Sequence, residues 1–226
     1  MIVDLHFHTE IQTSGYLRAE DLLAYIEETD LVAQARSQGI EAICLTEHDR
    51  AWPRSAVRIA TEQTGFLFLS GMEVSTNYAE YGHVLTYGLT GYVGGIYDVV
   101  KLQLVAEREG AALVVAHPFR EHLSPYRIEP PTTVTDALSW PIFQLVDGIE
   151  CHNGSTKAKE NELAAEVCRR LGKPATGGSD AHRGMGVGAA VTLFDRELRT
   201  EADLVAEIKA GRCRPALWRN GAYVPV

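Results

Sequence analysis

Short apolar runs alternate with segments of helical periodicity along almost the whole chain. The apolar runs have the length of strands and cover residues 2–5, 42–46, 66–69, 84–87, 112–116, 148–151, 174–177 and 190–193. The segments between them repeat apolar residues every three or four positions and cover residues 19–37, 54–64, 96–109, 157–171 and 201–210. Repeated strand–helix units predict an α/β fold with a mainly parallel sheet, open or closed into a barrel.

One proline-rich segment interrupts this alternation. Residues 121–143 contain four prolines, and we expect a long loop there, of the kind that more often forms a functional lid than a linker. The chain has 226 residues, a length that α/β barrels reach as one unit, and it shows no internal repeat. We therefore expect a single domain that covers residues 1–226.

Charge and cysteine content narrow the range of partners and compartments. The chain has 21 Lys and Arg against 30 Asp and Glu, a formal net charge of −9, which argues against a sequence-independent grip on duplex DNA. No apolar run approaches 18 residues and no basic segment leads into one at the start, so we expect neither a membrane span nor a signal peptide. None of the four cysteines forms a CxxC pair, which favours free thiols and a cytoplasmic location.

Six of the eight histidines fall at or beside the ends of the predicted strands: His6, His8, His48, His83, His117 and His182. Each one alone reads equally well as an ordinary core or surface histidine. Six such placements together indicate a shared site, because active sites of parallel α/β proteins form at the carboxyl edge of the sheet.

The first strand carries the clearest candidate ligands. Side chains alternate along a strand, so Asp4, His6 and His8 point to one side. Two imidazoles two positions apart can bind one divalent ion at about 2.0–2.2 Å per nitrogen. We expect Asp4 to orient one of these imidazoles without binding the metal itself.

Acidic residues accompany the later histidines. His48 stands between Glu47 and Asp49, and a neighbouring carboxylate both orients an imidazole and raises its basicity. Glu73 lies between apolar residues, where a carboxylate needs a cation or a hydrogen-bond donor. The alternative is that these acids cap a turn or end a strand in solvent.

Two further motifs lie at the ends of later predicted strands. Pro118 holds His117 in an extended conformation at a strand end, and Asp180 stands two positions before His182 after two glycines. All of the candidate ligands are nitrogen or oxygen donors, which suits Zn, Mn or Fe(II) and argues against a thiolate-rich structural zinc. They are too many for one tetrahedral ion, so we expect two or three divalent transition metal ions.

Taken together, these motifs resemble the PHP (polymerase and histidinol phosphatase) family of metal-dependent phosphoesterases. The resemblance spans residues 4–182 and rests on Asp4-Leu5-His6-Phe7-His8-Thr9, Thr46-Glu47-His48-Asp49, Glu73, His83, Ala116-His117-Pro118 and Gly178-Ser179-Asp180-Ala181-His182. It implies a distorted (β/α)7 barrel with a metal cluster at the C-terminal face of the strands.

The resemblance also implies how the ligands are shared. One ion would be held by His6, His8, Glu73 and Asp180. Glu73 would bridge to a second ion, which His83 and His117 complete. A third would be held by His48 and His182 with an Asp or His shortly after the first motif. The sequence has neither an Asp nor a His at that position, and Glu10 and Glu20 are the alternatives for this third ligand.

An arginine follows each of three metal motifs: Arg50, Arg120 and Arg183. Guanidinium groups suit bidentate contacts with phosphate, so we expect these three to bind the substrate, with solvated loop arginines as the alternative.

The resemblance implies a phosphoric ester hydrolase that acts on a small phosphorylated substrate, either a phosphomonoester or a nucleotide or short-oligonucleotide diester. A hydroxide held between two ions would attack phosphorus, and His182 or His48 would give a proton to the leaving group, in a site whose activity needs Asp180. Two alternatives stay open: an amidohydrolase-like C–N hydrolase, which commonly adds a strand-end lysine not evident here, and a non-catalytic PHP scaffold or regulatory module.

Overall fold

The computed structural model describes residues 1–11, 16–77, 82–89, 98–120 and 133–226. In these ranges the strands are β1 (Ile2–His8), β2 (Ala42–Leu45), β3 (Leu67–Ser75), β4 (His83–Tyr87), β5 (Ala112–Val115), β6 (Gly148–Asn153), β7 (Ala175–Gly178), β8 (Ala181–His182), β9 (Ala190–Phe194), β10 (Cys213–Arg219) and β11 (Ala222–Pro225). The helices are α1 (Ala19–Glu28), α2 (Leu31–Ser37), α3 (Arg54–Thr64), α4 (Val99–Glu109), α5 (Val134–Leu138), α6 (Ile142–Leu145), α7 (Ala158–Leu171) and α8 (Glu201–Lys209).

The strands form one mixed sheet in the order β11-β10-β9-β1-β2-β3-β4-β5-β6-β7, with β8 paired to β1. Two groups of three strands, β1 to β3 and β5 to β7, are parallel inside each group. Between the groups, β4 runs antiparallel to both of its neighbours. The last strands, β9 to β11, also pair antiparallel.

Hydrogen bonds between β7 and β9 draw the two ends of this sheet together. The backbone N–H of Gly177 donates to Oγ1 of Thr192 (2.8 Å), and the Thr192 hydroxyl donates to the Gly177 carbonyl oxygen (2.7 Å). Next to this seam, the backbone N–H of Asp180 donates to the carbonyl oxygen of His6 (2.7 Å). The sheet therefore curls into a distorted barrel, the architecture that the resemblance to PHP proteins implies.

Three apolar clusters support the sheet. One packs α1, α2 and α3 against β1 and β2, and a second packs α4, α6 and α7 against β5 and β6. The third joins β1 to β5 with α8, through residues such as Leu5, Leu85 and Leu204. Among the described helices the longest has 14 residues, and none could span a membrane.

The observed elements differ from the predicted ones in several places, and the strands β8, β10 and β11 were not predicted. The helix expected over residues 19–37 is two helices, because Asp30 takes a left-handed conformation (φ 54°) between them. The strand expected over residues 66–69 continues to Ser75. Of the expected loop over residues 121–143, the part from 133 onward contains α5 and the start of α6, and residues 121–132 lie outside the described ranges.

Candidate metal centre

The sheet brings the six predicted histidines together at one edge. His8 ends β1 and lies opposite His182 of β8 in the parallel pair. The backbone of His48, after β2, pairs with the backbone of Glu73 in β3 as an isolated β-bridge. His117 lies two residues after the end of β5. The imidazole rings then pack against one another, with centroids 4.5 Å apart for His8 and His182 and 5.5 Å apart for His83 and His117.

The direction of β4 explains the position of His83. In a parallel strand, the first residue would lie at the opposite edge of the sheet from the other ligands. Because β4 runs antiparallel, its first residue reaches the same edge, and His83 pairs with Ser75 at the end of β3. A histidine that opens a strand therefore joins histidines that close theirs.

Glu73 lies at the centre of the cluster, and each of its carboxylate oxygens faces a different set of imidazoles. Oε2 is 3.0–3.2 Å from nitrogens of His6, His8 and His48. Oε1 is 2.8 Å from Nδ1 of His83 and 2.9 Å from Nε2 of His117. The side chain is 1% exposed, so water does not compete for these oxygens.

Asp180 completes the first group of ligands. Its Oδ1 lies 3.4 Å from Nε2 of His8 and 3.5 Å from Nε2 of His6. Its other oxygen accepts hydrogen bonds from Arg120 and from Nδ2 of Asn153 (3.2 Å). Asp180 is thus held from one side by amide and guanidinium donors, while the opposite oxygen faces the imidazoles.

The charges in this cluster support one another. Burial disfavours the charged form of Glu73, yet the neighbouring His6 and the hydrogen bond from His117 hold its pKa well below the usual value. Burial likewise opposes a charged His6, but Asp180 and Glu73 raise the pKa of that imidazole well above its usual value. Burial lowers the pKa of His48 and of His117 in spite of the attraction of Glu73. Burial also opposes a charged Asp180, but His6 holds the pKa of that carboxyl below its usual value. Glu73 and Asp180 are therefore both ionised and attract cations.

The donor set fits divalent metal ions. Ligand atoms of His6, His8, Glu73 and Asp180 lie within 4.8 Å of one another, and so do those of His48, Glu73 and His83. Two donors of one tetrahedral zinc are about 3.3–3.6 Å apart, close to the spacing seen around Glu73. In the described part of the chain, Oε2 of Glu73 is buried and accepts no well-aligned hydrogen bond, although three imidazole nitrogens lie 3.0–3.2 Å from it. A divalent cation shared by these atoms would satisfy the oxygen.

Glu150 contacts two of the predicted ligands, although the sequence analysis did not select it. Its Oε1 lies 3.0 Å from Nδ1 of His6, on the far side of the ring from the cluster. Its Oε2 accepts hydrogen bonds from the backbone N–H of His117 and from Nδ2 of Asn153, both at 2.9 Å. Glu150 could have been selected from the sequence, because it is an acid between apolar residues in a predicted strand, as Glu73 is.

Three acids that were expected to orient the imidazoles contact the backbone or other side chains instead. Asp4 accepts hydrogen bonds from the N–H groups of Ser179 (2.9 Å) and Gly188 (3.1 Å), and burial raises its pKa to about 6. Such contacts fix the loop that carries Asp180.

The two acids beside His48 are also turned away from its ring in the described contacts. Glu47 accepts from Thr9 N–H (2.9 Å) and from Trp52 Nε1 (3.0 Å), and Asp49 accepts from the N–H and hydroxyl of Ser75 (both 2.8 Å). Glu73, rather than these sequence neighbours, is the carboxylate that faces His48.

The three predicted substrate-binding arginines all bond to protein groups at the rim of the cluster. Arg120 donates to Asp180, to Asn153 (2.5 Å) and to Thr156 (3.1 Å). Arg183 donates to Oε2 of Glu10 at 2.7 Å. Arg50 donates to the carbonyl oxygen of Ile11.

Backbone strain is concentrated around the cluster. Of the seven non-glycine residues with positive φ in the described ranges, five carry or adjoin its side chains: Glu10, Asp49, His117, Asp180 and Arg183. The extended conformation expected for His117 before Pro118 is therefore wrong, because its φ is 29°. Such conformations cost on the order of 1 kcal/mol or more each, and they typically persist at functional sites.

Comparisons with known proteins point to one family. The family model described as PHP-associated matches residues 158–213. The structure is similar to a two-domain protein from Bacteroides vulgatus that contains a predicted PHP-like metal-dependent phosphoesterase (TM-score 0.64, 19% identity), covering 96% of this chain and 64% of that one. The chain thus spans slightly under two thirds of that relative. No curated protein sequence matches it.

Two further structures share the fold. A putative metal-dependent phosphoesterase from Bifidobacterium adolescentis has a TM-score of 0.60 and 16% identity, over 92% of this chain and 96% of that one. An amidohydrolase from Chromobacterium violaceum, with bound sulfate and no metal, has a TM-score of 0.56 and 18% identity. The match covers 82% of this chain and 89% of that one. The resemblance to PHP proteins and the distorted barrel with a ligand cluster at one face are therefore confirmed. Residues 158–213 match the PHP-associated family model, and the fold of the chain is that of solved PHP-like structures.

Proposed function

We propose that this chain is a metal-dependent phosphoesterase that hydrolyses small phosphate esters. The observation that carries the proposal is the position of Glu73 between two sets of imidazoles, one on each carboxylate oxygen. A carboxylate shared in this way is suited to two neighbouring divalent ions. Paired ions about 3.5–4 Å apart favour in-line displacement at phosphorus, because both the attacking and the leaving oxygen are stabilised.

We propose the following roles for the residues of the cluster. His6, His8, Glu73 and Asp180 would hold the first ion, and Glu73, His83 and His117 would hold the second. When bound, these ions supply activated water and offset charge on the phosphoryl oxygens. The lowered pKa of His48 favours a role as a neutral ligand over that of a proton donor. His182, 38% exposed at the mouth, is then the better candidate to protonate the leaving group.

A small anionic substrate suits the surroundings of the cluster. The formal net charge of −9 disfavours a long polyanion, whereas bound divalent ions would make the local potential positive. Arg120, held against Asp180, places a guanidinium beside the ions, where it can meet a phosphoryl oxygen. We propose phosphomonoesters, nucleotides or short oligonucleotides as substrates, and Zn, Mn or Fe as the metal.

The test combines metal analysis with a substrate panel. Purified protein supplemented with Mn²⁺ or Zn²⁺ is assayed on aryl phosphomonoesters, aryl phosphodiesters, short single strands and duplex DNA. We expect at least two metal equivalents and hydrolysis of a small ester, and a loss of more than about 100-fold in kcat for Asp180→Asn and His6→Ala. Asp195→Asn, an exposed acid in an ion pair with Arg214, is the matched control and should keep full activity. Full activity in Asp180→Asn would refute the proposal.

Amidohydrolase chemistry is a second candidate because one similar structure is an amidohydrolase. Against it, Lys173, the lysine that precedes β7, donates to the carbonyl oxygen of Val146 (2.6 Å) instead of reaching the cluster. N-acyl and cyclic amide substrates in the same panel discriminate the two. Hydrolysis of an amide without any ester hydrolysis would favour the second candidate, and metal binding without turnover of either would favour a non-catalytic scaffold.

A further inference from the structure

Helix α7 and the strands beside it border a second cavity, which we call the α7 cavity. Its volume is about 530 Å³, within the range of roughly 300–1,000 Å³ that is usual for small-molecule pockets. Its walls come from β6, α7, β7 and β10, through residues that include His152, Ala165, Cys168, Ala175 and Pro215. None of the predicted metal ligands is among its described lining residues, so the cavity is separate from the metal cluster.

His152 is a buried polar side chain that lines this cavity without a partner. The residue is 9% exposed, and among the described contacts neither nitrogen of its ring makes a hydrogen bond. Burial and the nearby guanidinium of Arg219 lower the pKa of the imidazole, which is therefore neutral near pH 7. A neutral imidazole offers one donor and one acceptor, and a hydroxyl group can pair with either.

The rest of the lining favours a ligand without charge. Its apolar part includes three small side chains: Ala165, Ala175 and Pro215. Its charged side chains are two acids and two bases: Glu162, Glu166, Arg169 and Lys173. Arg169 forms an ion pair with Glu166 (2.9 Å), and Lys173 donates to the carbonyl oxygen of Val146 (2.6 Å). These four charges cancel, so they do not select an ion.

Two hydrogen bonds hold α7 in place next to His152. The backbone N–H of Asn153 donates to Oδ1 of Asn161 in the first turn of α7 (3.1 Å). Nδ2 of Asn161 in turn donates to the carbonyl oxygen of Asn153 (3.0 Å). Both asparagines are buried, so water does not compete for these bonds. The wall of the cavity is therefore largely formed before any ligand binds, which favours affinity.

We propose that the α7 cavity is a binding site for a small, uncharged, apolar molecule that carries a hydroxyl group. The hydroxyl group bonds to the ring of His152, and the apolar body packs against Ala165, Ala175 and Pro215. An aromatic alcohol is the simplest molecule of this class. The site does not depend on the proposed function, because it shares no described lining residue with the predicted metal ligands.

The experiment titrates the full-length protein with 1-naphthol in a calorimeter, first in chelator and then with Zn²⁺. We expect one site per chain and the same dissociation constant in both conditions. 1-Methylnaphthalene has a similar shape without the hydroxyl group, and it should bind about tenfold more weakly, the net effect of one hydrogen bond. Naphthalene-1-sulfonate, which is charged, should bind at least tenfold more weakly than 1-naphthol.

Variants on the cavity wall locate the bound molecule. His152→Phe keeps a ring without nitrogens, so it should bind 1-naphthol about tenfold more weakly and 1-methylnaphthalene as the wild type does. Ala165→Trp should fill the cavity and abolish binding of both. Ala158→Trp lies at an exposed position of the same helix outside the described lining, and as the control it should bind both like the wild type.

Four results would overturn the inference: no binding of 1-naphthol to the wild type, equal constants for 1-naphthol and 1-methylnaphthalene, unchanged binding in Ala165→Trp, or competition between 1-naphthol and Zn²⁺. The last result would place 1-naphthol in the metal cluster. If a variant does not fold, the comparison of the three probes on the wild type still decides whether a hydroxyl group is recognised. Ester hydrolysis is not measured here, so a failure leaves the proposed function as it stands.

Discussion

Oε1 of Glu150 lies 3.0 Å from Nδ1 of His6, and both side chains are almost fully buried. The carboxylate thus accepts the ring hydrogen on the side that faces away from the cluster. This fixes the tautomer in which Nε2 of His6 is free to bind a metal. Glu150 also holds the backbone of His117, so one acid positions a ligand of each of the two proposed ions.

Glu150→Gln should weaken metal binding without removing a ligand. The amide can still accept from His6, but its NH₂ group cannot accept from the N–H of His117. We expect the dissociation constant for Zn²⁺ to rise about 10- to 100-fold, which is the usual effect of losing a group that orients a ligand. Glu162→Gln on the exposed face of α7 is the control. An unchanged constant in Glu150→Gln would show that the contact is not needed for positioning.

Gly178→Ala should disturb His6 directly. An added Cβ would lie 2.4 Å from Cβ of His6 and 2.8 Å from its backbone nitrogen, so the strand must shift. We expect a loss of about 1–3 kcal/mol in the free energy of unfolding, together with weaker metal binding. Gly110→Ala, at a left-handed helix end with no atom nearby, should cost about 1 kcal/mol and leave metal binding unchanged. Equal metal affinities in both variants would contradict this.

Asp4 should make the metal-free protein less stable as the pH rises. Its pKa is raised by burial from 3.8 to about 6, so the folded state holds a proton that the unfolded state has released. The stabilisation is therefore complete below about pH 4 and is lost as the pH passes 6. In chelator, the unfolding free energy of the wild type minus that of Asp4→Asn should fall by about 3 kcal/mol over this window. A difference that does not vary with pH would rule this out.

Removing the metal should lower thermal stability. Ions that bind only the folded state add about 2.7 kcal/mol at a concentration 100 times the dissociation constant. For a chain of this length we expect a chelator to lower Tm by roughly 5–10 °C. In Glu73→Gln, which loses the shared carboxylate, the chelator should change Tm much less, whereas Glu62→Gln, an exposed acid on α3, should respond like the wild type. An equal response of all three would contradict a centre built on Glu73.

The ligands that follow from local pattern could be predicted from the sequence. His6 and His8 are two apart on one strand, and Asp180 and His182 repeat that spacing, so strand alternation and the common edge of parallel strands are sufficient. His83 could not be placed by the same rule, because it requires β4 to be antiparallel. Strand direction depends on the pairing of distant segments, which apolar periodicity does not report.

The contacts made by the acids and arginines were harder to predict. Glu47 and Asp49 flank His48 in sequence, but neighbours on a turn point in different directions, and Glu73 from another strand faces the ring instead. Glu150 was missed although it shares the apolar flanks of Glu73. The partner of Arg183 is Glu10, 173 positions away, and only the pairing of β8 with β1 brings the two together.

Anomalous X-ray diffraction from crystals grown with Mn²⁺ or Zn²⁺ tests the central claim most directly. We predict at least two anomalous peaks, one beside each carboxylate oxygen of Glu73 and about 3.5–4 Å apart. A single peak, or none next to Glu73, would contradict the account.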